Sequence, residues 1–297
     1  MLQGIEDRID LVQRIESDVT ASINSLSRVV NIEHTYHETH SLLLISGITR
    51  TEECLKSLAV YCVGQIANAI QANLGIRADL LGDGEDTIDR LSNDVFSVIG
   101  ENNNALTLEQ KRDERNPLLF EFISHLLVHI SVHRPEFHPT GRLIGLFPVH
   151  LTVNIPGLDL VAIYANEGNI GLGVGECKAR ENSPSPALIE ASEKFVDIDL
   201  GNRDSEIRTN VNLIRFGLPD EYQSSITGAF WREERTYYPF IGYSNRYNPR
   251  WRNRRAALMH LNVPPERRIL IPLAFEFQDF FDDLSNQMRI YLESIET

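Results

Sequence analysis

The sequence predicts a mixed α/β protein, and three observations support this prediction. Apolar residues recur at helical spacing after Asn116-Pro117, which is a favourable helix start. Two β-rich runs joined by turn residues at 166–169 follow this helix. A second helical pattern and another β-rich run come next. The predicted elements are a helix over 117–132, strands over 143–153, 159–165 and 170–177, a helix over 184–200 and a strand over 237–243.

Further elements flank this core on both sides. Apolar residues three and four positions apart predict an amphipathic helix at the start of the chain, and an apolar run before Gly47 predicts an extended segment. A third apolar pattern predicts a helix from residue 51 that ends before Gly75, because glycine commonly stops a helix. The flanking elements are a helix over 1–30, an extended segment over 34–48, helices over 51–74, 87–99 and 203–216, a strand over 268–275 and a helix over 277–295.

A polar and charged stretch divides the chain near residue 115. Residues 100–104 read Gly-Glu-Asn-Asn-Asn, and residues 109–115 carry a dense run of charges, so together they predict a linker. We therefore expect a mostly helical N-terminal region, residues 1–115, with an accessory or regulatory role. Residues 116–297 are the second predicted domain and contain the helix-strand-strand-strand-helix-strand core.

Composition and charge favour a cytoplasmic protein. No stretch approaches the roughly 18 apolar residues of a membrane span, and the acidic start of the chain lacks a signal-peptide pattern. Cys54, Cys62 and Cys177 form no disulfide framework, as expected in a reducing compartment. The net charge of -14 argues against a general nucleic-acid coat, because binding to phosphates depends on cations.

Three charged residues gather at one rim of the predicted strand pair. Side chains alternate along a strand, so Glu176 and Lys178 point to the same face, and Asp159 begins the neighbouring strand. The face of Glu176 and Lys178 is otherwise apolar, for example at Leu172 and Val174. A strand face that becomes charged only at its end favours a site at the rim of the sheet over a solvated face.

The pattern formed by Asp159, Glu176 and Lys178 resembles the motif of the PD-(D/E)xK nuclease superfamily, although Leu158 stands where the motif has proline. The resemblance implies a restriction-endonuclease-like core in residues 116–297, with these three residues as the catalytic groups. It also implies that Asp159, Glu176 and the backbone carbonyl of Cys177 hold Mg²⁺ or Mn²⁺. The order of predicted helices and strands agrees with that of the superfamily.

Phosphodiester hydrolysis needs a hard cation and an activated water, and carboxylate oxygens suit such a cation. Two nearby acids keep Lys178 charged, which makes it a poor general base. We therefore expect Lys178 to position the water and to stabilise the developing charge. The alternative is that these residues form ordinary surface ion pairs.

The glycines of the second strand, Gly171, Gly173 and Gly175, line its other face, where their missing side chains allow a helix or chain to approach closely. Their spacing also invites comparison with nucleotide-binding loops. It is not the GxGxxG pattern, it lies inside a strand, and no helix follows immediately, so a nucleotide site is disfavoured.

Several other polar residues are weaker candidates. Glu121 lies on the helix before the strands, where the resembled nucleases often carry an acid, but helical phase places it opposite the apolar stripe. We interpret Glu121 as solvent-facing. Two histidine groups lack cysteine or acid partners at zinc spacing, and we interpret them as surface or half-buried residues. They are His125, His129 and His133, and His34, His37 and His40.

An arginine-rich segment is the best candidate for contact with a nucleic acid. Residues 228–271 contain nine arginines and three glutamates, a local charge of +6 that leaves -20 for the remainder. Arginine binds phosphates and aromatic rings stack on bases. Pairing of these arginines with the acidic body or with a partner subunit is an equal alternative. The candidate nucleic-acid-binding residues are Arg246, Arg250, Trp251, Arg252, Arg254 and Arg255.

These observations predict a metal-dependent nuclease that cleaves DNA. The chain contains no GxxxxGK[ST] motif of an ATPase. Its motif hairpin and the strand over 237–243 resemble the nuclease subunit of Hachiman-type bacterial anti-phage defence systems, which implies a helicase or ATPase partner. The alternatives are a stand-alone restriction or repair endonuclease and a catalytically silent binding module with the same fold.

Overall fold

A mixed β-sheet organises the part of the chain that the structure describes. This computed structural model describes residues 2–67, 87–134, 141–149, 157–166, 169–226, 230, 234–253 and 255–296. The strands within these ranges are β1 (Asn31–Tyr36), β2 (Ser41–Ser46), β3 (Arg142–Leu146), β4 (Leu160–Asn166), β5 (Asn169–Arg180), β6 (Arg235–Ser244) and β7 (Ile269–Phe275). Together with the helices described next, they confirm the predicted mixed α/β class.

The helices follow the same chain order. The main helices of the described residues are α1 (Leu2–Val29), α2 (Glu52–Ile66), α3 (Thr87–Ile99), α4 (Asn116–Ile130), α5 (Pro184–Asp199), α6 (Asp204–Phe216) and α7 (Phe277–Glu296). A helical turn at Leu108–Gln110 and a π-helical turn at Lys111–Arg115 lead directly into α4. No helix in the described ranges is long and apolar enough to span a membrane.

The strands lie side by side in the order β1-β2-β7-β6-β5-β4-β3. Strands β3, β4 and β5 form an antiparallel meander in which Leu160 pairs with Gly175. Strand β6 pairs with β5 in parallel, so the chain must cross from one end of the sheet to the other between them. Helices α5 and α6 lie in this crossover. The predicted order of core elements is therefore present, and the helix predicted over 203–216 is α6, between α5 and β6.

Helices cover both faces of the central strands. On one face, Phe120 of α4 lies so close to Gly242 of β6 that a Cβ at residue 242 would come within 2.7 Å of the ring. On the other face, Phe195 of α5 stacks on Tyr237 of β6 at a centroid distance of 4.5 Å. Residues 237 and 242 differ in parity, which places α4 and α5 on opposite sides of the sheet.

The first 115 residues share this sheet and its core. Strand β2 pairs in parallel with β7, where Ser41 lies opposite Ile269. Buried residues of α1 and α2 belong to the same apolar cluster as those of α4 and α7. The division into an accessory region, 1–115, and a nuclease domain, 116–297, stays a prediction about function. Among the described residues it coincides with no break in the sheet or the core.

The linker predicted over residues 109–115 is wrong, because these residues are helical. The charges of this stretch are compatible with a helix, because two of the charged side chains form ion pairs inside the protein. Lys111 Nζ lies 3.1 Å and Arg115 Nη1 2.6 Å from Oδ1 of Asp282 on α7. The Arg115 side chain is fully buried, and it also donates to Oδ1 of Asn116 through Nε and Nη2. This cluster joins the start of α4 to the C-terminal helix.

Replacing Asp282 with alanine is expected to destabilise the protein by about 2 kcal/mol or more, because a buried guanidinium loses its counter-charge. The Asp282 side chain is 27% exposed, so water offsets part of this cost. Urea unfolding of the wild type and the variant measures the difference. Asp279→Ala is the matched control, because Asp279 lies on the same helix and its side chain is 70% exposed. Equal stability of the Asp282 and Asp279 variants would argue against a structural role for the cluster.

The remaining differences from prediction lie at element ends. The extended segment predicted over 34–48 is a hairpin, because His37 N bonds to the carbonyl oxygen of His40 and turns the chain between β1 and β2. Helix α2 ends at Ile66 and β3 ends at Leu146, both earlier than predicted. The predicted helix residues 68–74 and strand residues 150–153 lie outside the described residues. The other predicted helices and strands are confirmed, with ends that differ by a few residues.

Candidate active site

Strands β4 and β5 bring the three motif residues together at one end of the meander. Asp159 precedes β4, and the antiparallel register places it beside the end of β5. There its Oδ2 accepts a hydrogen bond of 2.6 Å from the backbone N–H of Cys177. Lys178 Nζ lies 2.6 Å from Oε1 of Glu176. The sequence prediction that these residues meet at a sheet rim therefore agrees with the geometry.

Glu176 is buried at this rim, with 2% of its surface exposed. Its Oε1 bonds to Lys178, but its Oε2 is buried and has no hydrogen-bond partner among the described residues. A buried charged oxygen without a partner is costly and calls for a proton or a cation. The alternative of an ordinary solvated ion pair is therefore wrong for Glu176. Lys178 is the more accessible partner, with 25% of its side chain exposed.

The buried position of Glu176 favours its neutral form. Burial, followed by the negative charge of Asp159, raises the pKa of Glu176 to about 7, although Lys178 acts in the opposite direction. A carboxyl group with this pKa exchanges its proton near neutral pH. Perturbed carboxyl groups of this kind concentrate at functional sites, although buried ion-pair networks produce them as well.

Lys178 keeps its proton in this environment. Burial alone would lower the pKa of Lys178, but the charges of Glu176 and Asp159 outweigh it, and the pKa is raised. Lys178 is therefore a cation at neutral pH, with hydrogen atoms to donate and no lone pair to accept one. This agrees with the expected role in positioning and charge stabilisation.

Glu121 belongs to the same electrostatic cluster, and the interpretation of this residue as solvent-facing is wrong. Burial, followed by the charge of Asp159, raises the pKa of Glu121 to about 9, and Glu176 adds to this effect. Helix α4 is buried on nearly all sides, so the position opposite its apolar stripe also faces protein. One sequence signal was available. Glu121 is the single Asp, Glu, Lys or Arg in residues 116–130.

The thiol of Cys177 does not contribute a nucleophile. It is buried, and burial together with Asp159 raises its pKa well above the usual value. Its backbone carbonyl remains the third expected metal ligand.

Within the described ranges, no group of three or more His, Cys, Asp or Glu side chains is arranged so that it could hold a metal ion by itself. The residues that a divalent cation would need are oxygen donors, and the site offers Glu176 Oε2, which has no partner in the described part of the chain, beside the carboxyl groups of Asp159 and Glu121. Mg²⁺ is compatible with so few protein ligands, because it retains several waters.

Two of the six candidate histidines are buried, and the other four are half-buried or exposed, as expected. His125 is buried, with Nδ1 2.8 Å from the hydroxyl of Tyr61 and Nε2 2.9 Å from the carbonyl oxygen of Phe147. Burial lowers the pKa of His125 to about 3, so the ring is neutral. His40 is buried as well. The interpretation as surface or half-buried residues is wrong for these two histidines, because α4 is buried on nearly all sides and the ring of His40 contacts the distant segment at Trp251, whose carbonyl oxygen lies 3.1 Å from Nε2.

The candidate nucleic-acid residues have different environments. Arg246 and Arg250 are exposed. Arg252 is also exposed, and its Nη2 lies 2.7 Å from Oε1 of Glu33, as the alternative of pairing with the acidic body predicts. Arg255 is half-buried, and Arg254 lies outside the described residues.

Trp251 does not present its ring to a base. It is only 4% exposed, its Nε1 donates to the hydroxyl of Tyr243, and Arg255 lies 4.9 Å over its ring. The prediction that Trp251 stacks on nucleic-acid bases is therefore wrong in this structure. The ring fills the space between the arginine segment and the end of β6. Exposed Tyr247 is the aromatic residue of this segment that solvent reaches.

The glycine face of β5 accommodates side chains of the neighbouring strands. A Cβ at Gly171 would collide with the ring of Tyr164, and one at Gly173 would lie 2.7 Å from the ring of Tyr238. The space left by these glycines is therefore filled by aromatic rings from β4 and β6, on the face of the sheet that α4 covers.

These features define a cluster of carboxyl groups, with Glu176 buried and Asp159 and Glu121 half-buried, and an attached lysine at the end of a sheet that is covered on both faces. Comparison of the chain with protein-family models and with curated proteins finds no match. The functional argument therefore depends on the geometry and chemistry of the cluster.

Proposed function

We propose that this protein is a Mg²⁺- or Mn²⁺-dependent nuclease that hydrolyses phosphodiester bonds of DNA. The observation that supports the proposal most is the buried Glu176 carboxylate. One of its oxygens has no partner within the described residues, and the nearby charge of Asp159 adds to burial in raising its pKa. A group of neighbouring carboxyls, with Glu176 buried among them, suits a site that holds a hard cation.

Each residue of the cluster has a role in this proposal. Asp159, Glu176 and the carbonyl of Cys177 would hold the cation, and Glu121 provides a further carboxyl group beside them. When bound, the cation polarises the phosphate and makes a bound water more acidic. Lys178 orients the water and stabilises charge that develops on the phosphate. Because Lys178 remains protonated, proton removal falls to another group or to water.

The arginine segment supports nucleic acid as the substrate. Tyr247 donates to Oδ1 of Asn182, two residues beyond the end of β5, at 2.8 Å. Asn182 follows Lys178 by four residues, which corresponds to at most about 13 Å of extended chain. Exposed Arg246 is adjacent to Tyr247, and Arg250 follows closely. Cations near the site are suited to phosphates on either side of the cleaved bond.

The fold is compatible with a restriction-endonuclease-like core, because α4, β3, β4, β5, α5 and β6 follow its order and carry the motif at the matching places. The action of this chain in an anti-phage defence complex with a separate helicase is part of the proposal. It depends on the resemblance of the hairpin and of β6 to Hachiman-type nuclease subunits. Recovery of a helicase with the tagged protein from its native cells tests that part separately.

The purified protein is expected to cut DNA with Mg²⁺ or Mn²⁺ and to leave it intact in EDTA. Linear, nicked and single-stranded DNA and a matched RNA, each end-labelled, identify the preferred substrate in one gel assay. Ca²⁺ provides a control that permits binding to oxygen ligands with different coordination geometry. Binding without cleavage of any substrate, with either cation, would favour the catalytically silent binding module and contradict the proposal.

A further inference from the structure

Lysine is rare in this chain, and its distribution is uneven. The 28 basic residues include four lysines, Lys56, Lys111, Lys178 and Lys194, so the other 24 are arginines. Lys56 forms a surface pair with Glu52, and Lys111 is buried against Asp282. The remaining two lysines both lie at the carboxylate cluster. Lys178 is part of the motif, whereas Lys194 on α5 has no role assigned above.

The geometry of α5 directs Lys194 towards Glu176. The helix returns from the end of β5 so that β6 can run parallel to β5, and it therefore runs back along β5. At the near end of this return, Arg180 Nη2 lies 2.7 Å from Oε2 of Glu190. Lys194 follows Glu190 by four residues, one turn along the same helix face and about 6 Å further back. This displacement moves it from Arg180 towards Lys178 and Glu176.

Lys194 is close enough to act on the cluster electrostatically. Its charge lowers the pKa of Glu176, although burial, Asp159 and Lys178 have larger effects. It is half-buried, and it makes no hydrogen bond or salt bridge with the described residues. By contrast, the ammonium group of Lys178 is already engaged by Oε1 of Glu176. The ammonium group of Lys194 is therefore the one that can bind a ligand without giving up a contact to Glu176.

We propose that Lys194 binds the phosphate that is cleaved, as a second substrate-binding lysine beside Lys178. This inference rests on the proposed nuclease function and assigns separate tasks to the two lysines. Lys178 stays with Glu176 and the attacking water, and Lys194 neutralises an oxygen of the phosphate. A lysine suits this task, because its ammonium group is a compact charge on a flexible stem, whereas arginine favours fixed two-point contacts.

Replacing Lys194 with alanine is expected to lower the rate of Mg²⁺-dependent cleavage about 100-fold, the scale for losing one donor that stabilises a transition-state charge. DNA binding in Ca²⁺ is expected to weaken, with a slope of log affinity against log salt that is smaller by about 1, the signature of one lost phosphate contact. Lys194→Arg is expected to recover most of the binding, because it restores the charge. Filter binding at four salt concentrations and a gel assay measure these effects.

Lys56→Ala is the matched control, because it removes a lysine from an exposed surface pair and is expected to leave cleavage and salt slope unchanged. Thermal unfolding confirms that each variant is folded. A Lys194→Ala protein that is folded and has the wild-type rate and salt slope overturns the inference, while wild-type cleavage keeps the proposed function. If the wild type itself neither binds nor cuts DNA, both are overturned together.

Discussion

Glu176→Ala and Lys178→Ala are each expected to lower Mg²⁺-dependent DNA cleavage about 1,000-fold or more. Glu176 supplies the partnerless oxygen that would hold the cation, and Lys178 supplies a fixed charge at the reacting centre. Loss of one preorganised group that stabilises a transition state typically costs about 100- to 1,000-fold in rate. Loss of Glu176 also weakens cation binding. Single-turnover rates over a range of Mg²⁺ concentrations measure both effects.

The two variants are expected to differ in their response to metal. High Mg²⁺ concentration partly restores cleavage in Glu176→Ala, because Asp159 and the carbonyl of Cys177 remain, whereas it restores nothing in Lys178→Ala. Glu193→Ala is the matched control, because Glu193 is an exposed acid on the neighbouring helix α5. The assignment of the site fails if Glu176→Ala and Lys178→Ala, both folded, cut DNA at the rate of the control.

Glu176→Gln is expected to stabilise the metal-free protein by about 2 kcal/mol at pH 8 and by little at pH 4.5. Burial and the charge of Asp159 raise the pKa of Glu176 from 4.5 to about 7. Between these values the folded protein retains a proton that the unfolded chain has lost, so the free energy of unfolding falls as the pH rises. Above pH 7 the full cost of the ionised carboxylate is present, and the amide avoids it. The pKa difference corresponds to about 3 kcal/mol at most.

Urea unfolding in EDTA at pH 4.5, 6 and 8 measures this stabilisation. Glu193→Gln serves as the control, because an exposed acid has little effect at any of these pH values. Addition of Mg²⁺ at pH 8 is expected to stabilise the wild type and not Glu176→Gln, since the cation offsets the same charge. If Glu176→Gln changes the free energy of unfolding equally at all three pH values, the environment of Glu176 does not disfavour its ionised form.

The part of the fold that could be predicted follows from the periodicity of apolar residues in the sequence. Alternation along β5 correctly placed Glu176 and Lys178 on one face, and helical spacing correctly predicted most of the helices, α4 among them. Residues 109–115 were misjudged, because a run of charges is typical of a loop unless its partners are known. Two of these charges are neutralised by Asp282, which lies more than 160 residues later in the chain.

The candidate site was predictable to a similar extent. Asp159, Glu176 and Lys178 could be selected because they lie at the same end of one hairpin, so their proximity follows from local pairing. Glu121 and Lys194 could not be placed with them. A helical wheel describes one helix against an assumed single core, but α4 is buried on nearly all sides and α5 folds back over β5. The prediction for Trp251 was wrong because its burial depends on contact with Tyr243, which lies on β6.

The sequence by itself therefore determined the class of fold, the strand pair and the order of the three charged residues along it. Only the tertiary structure decided that Glu176 is buried with one oxygen that has no partner among the described residues, that Glu121 shares its electrostatic environment and that the charge of Lys194 acts on it. The physical reason is that periodicity is a property of neighbouring residues, whereas burial and pKa depend on which distant elements pack around a group.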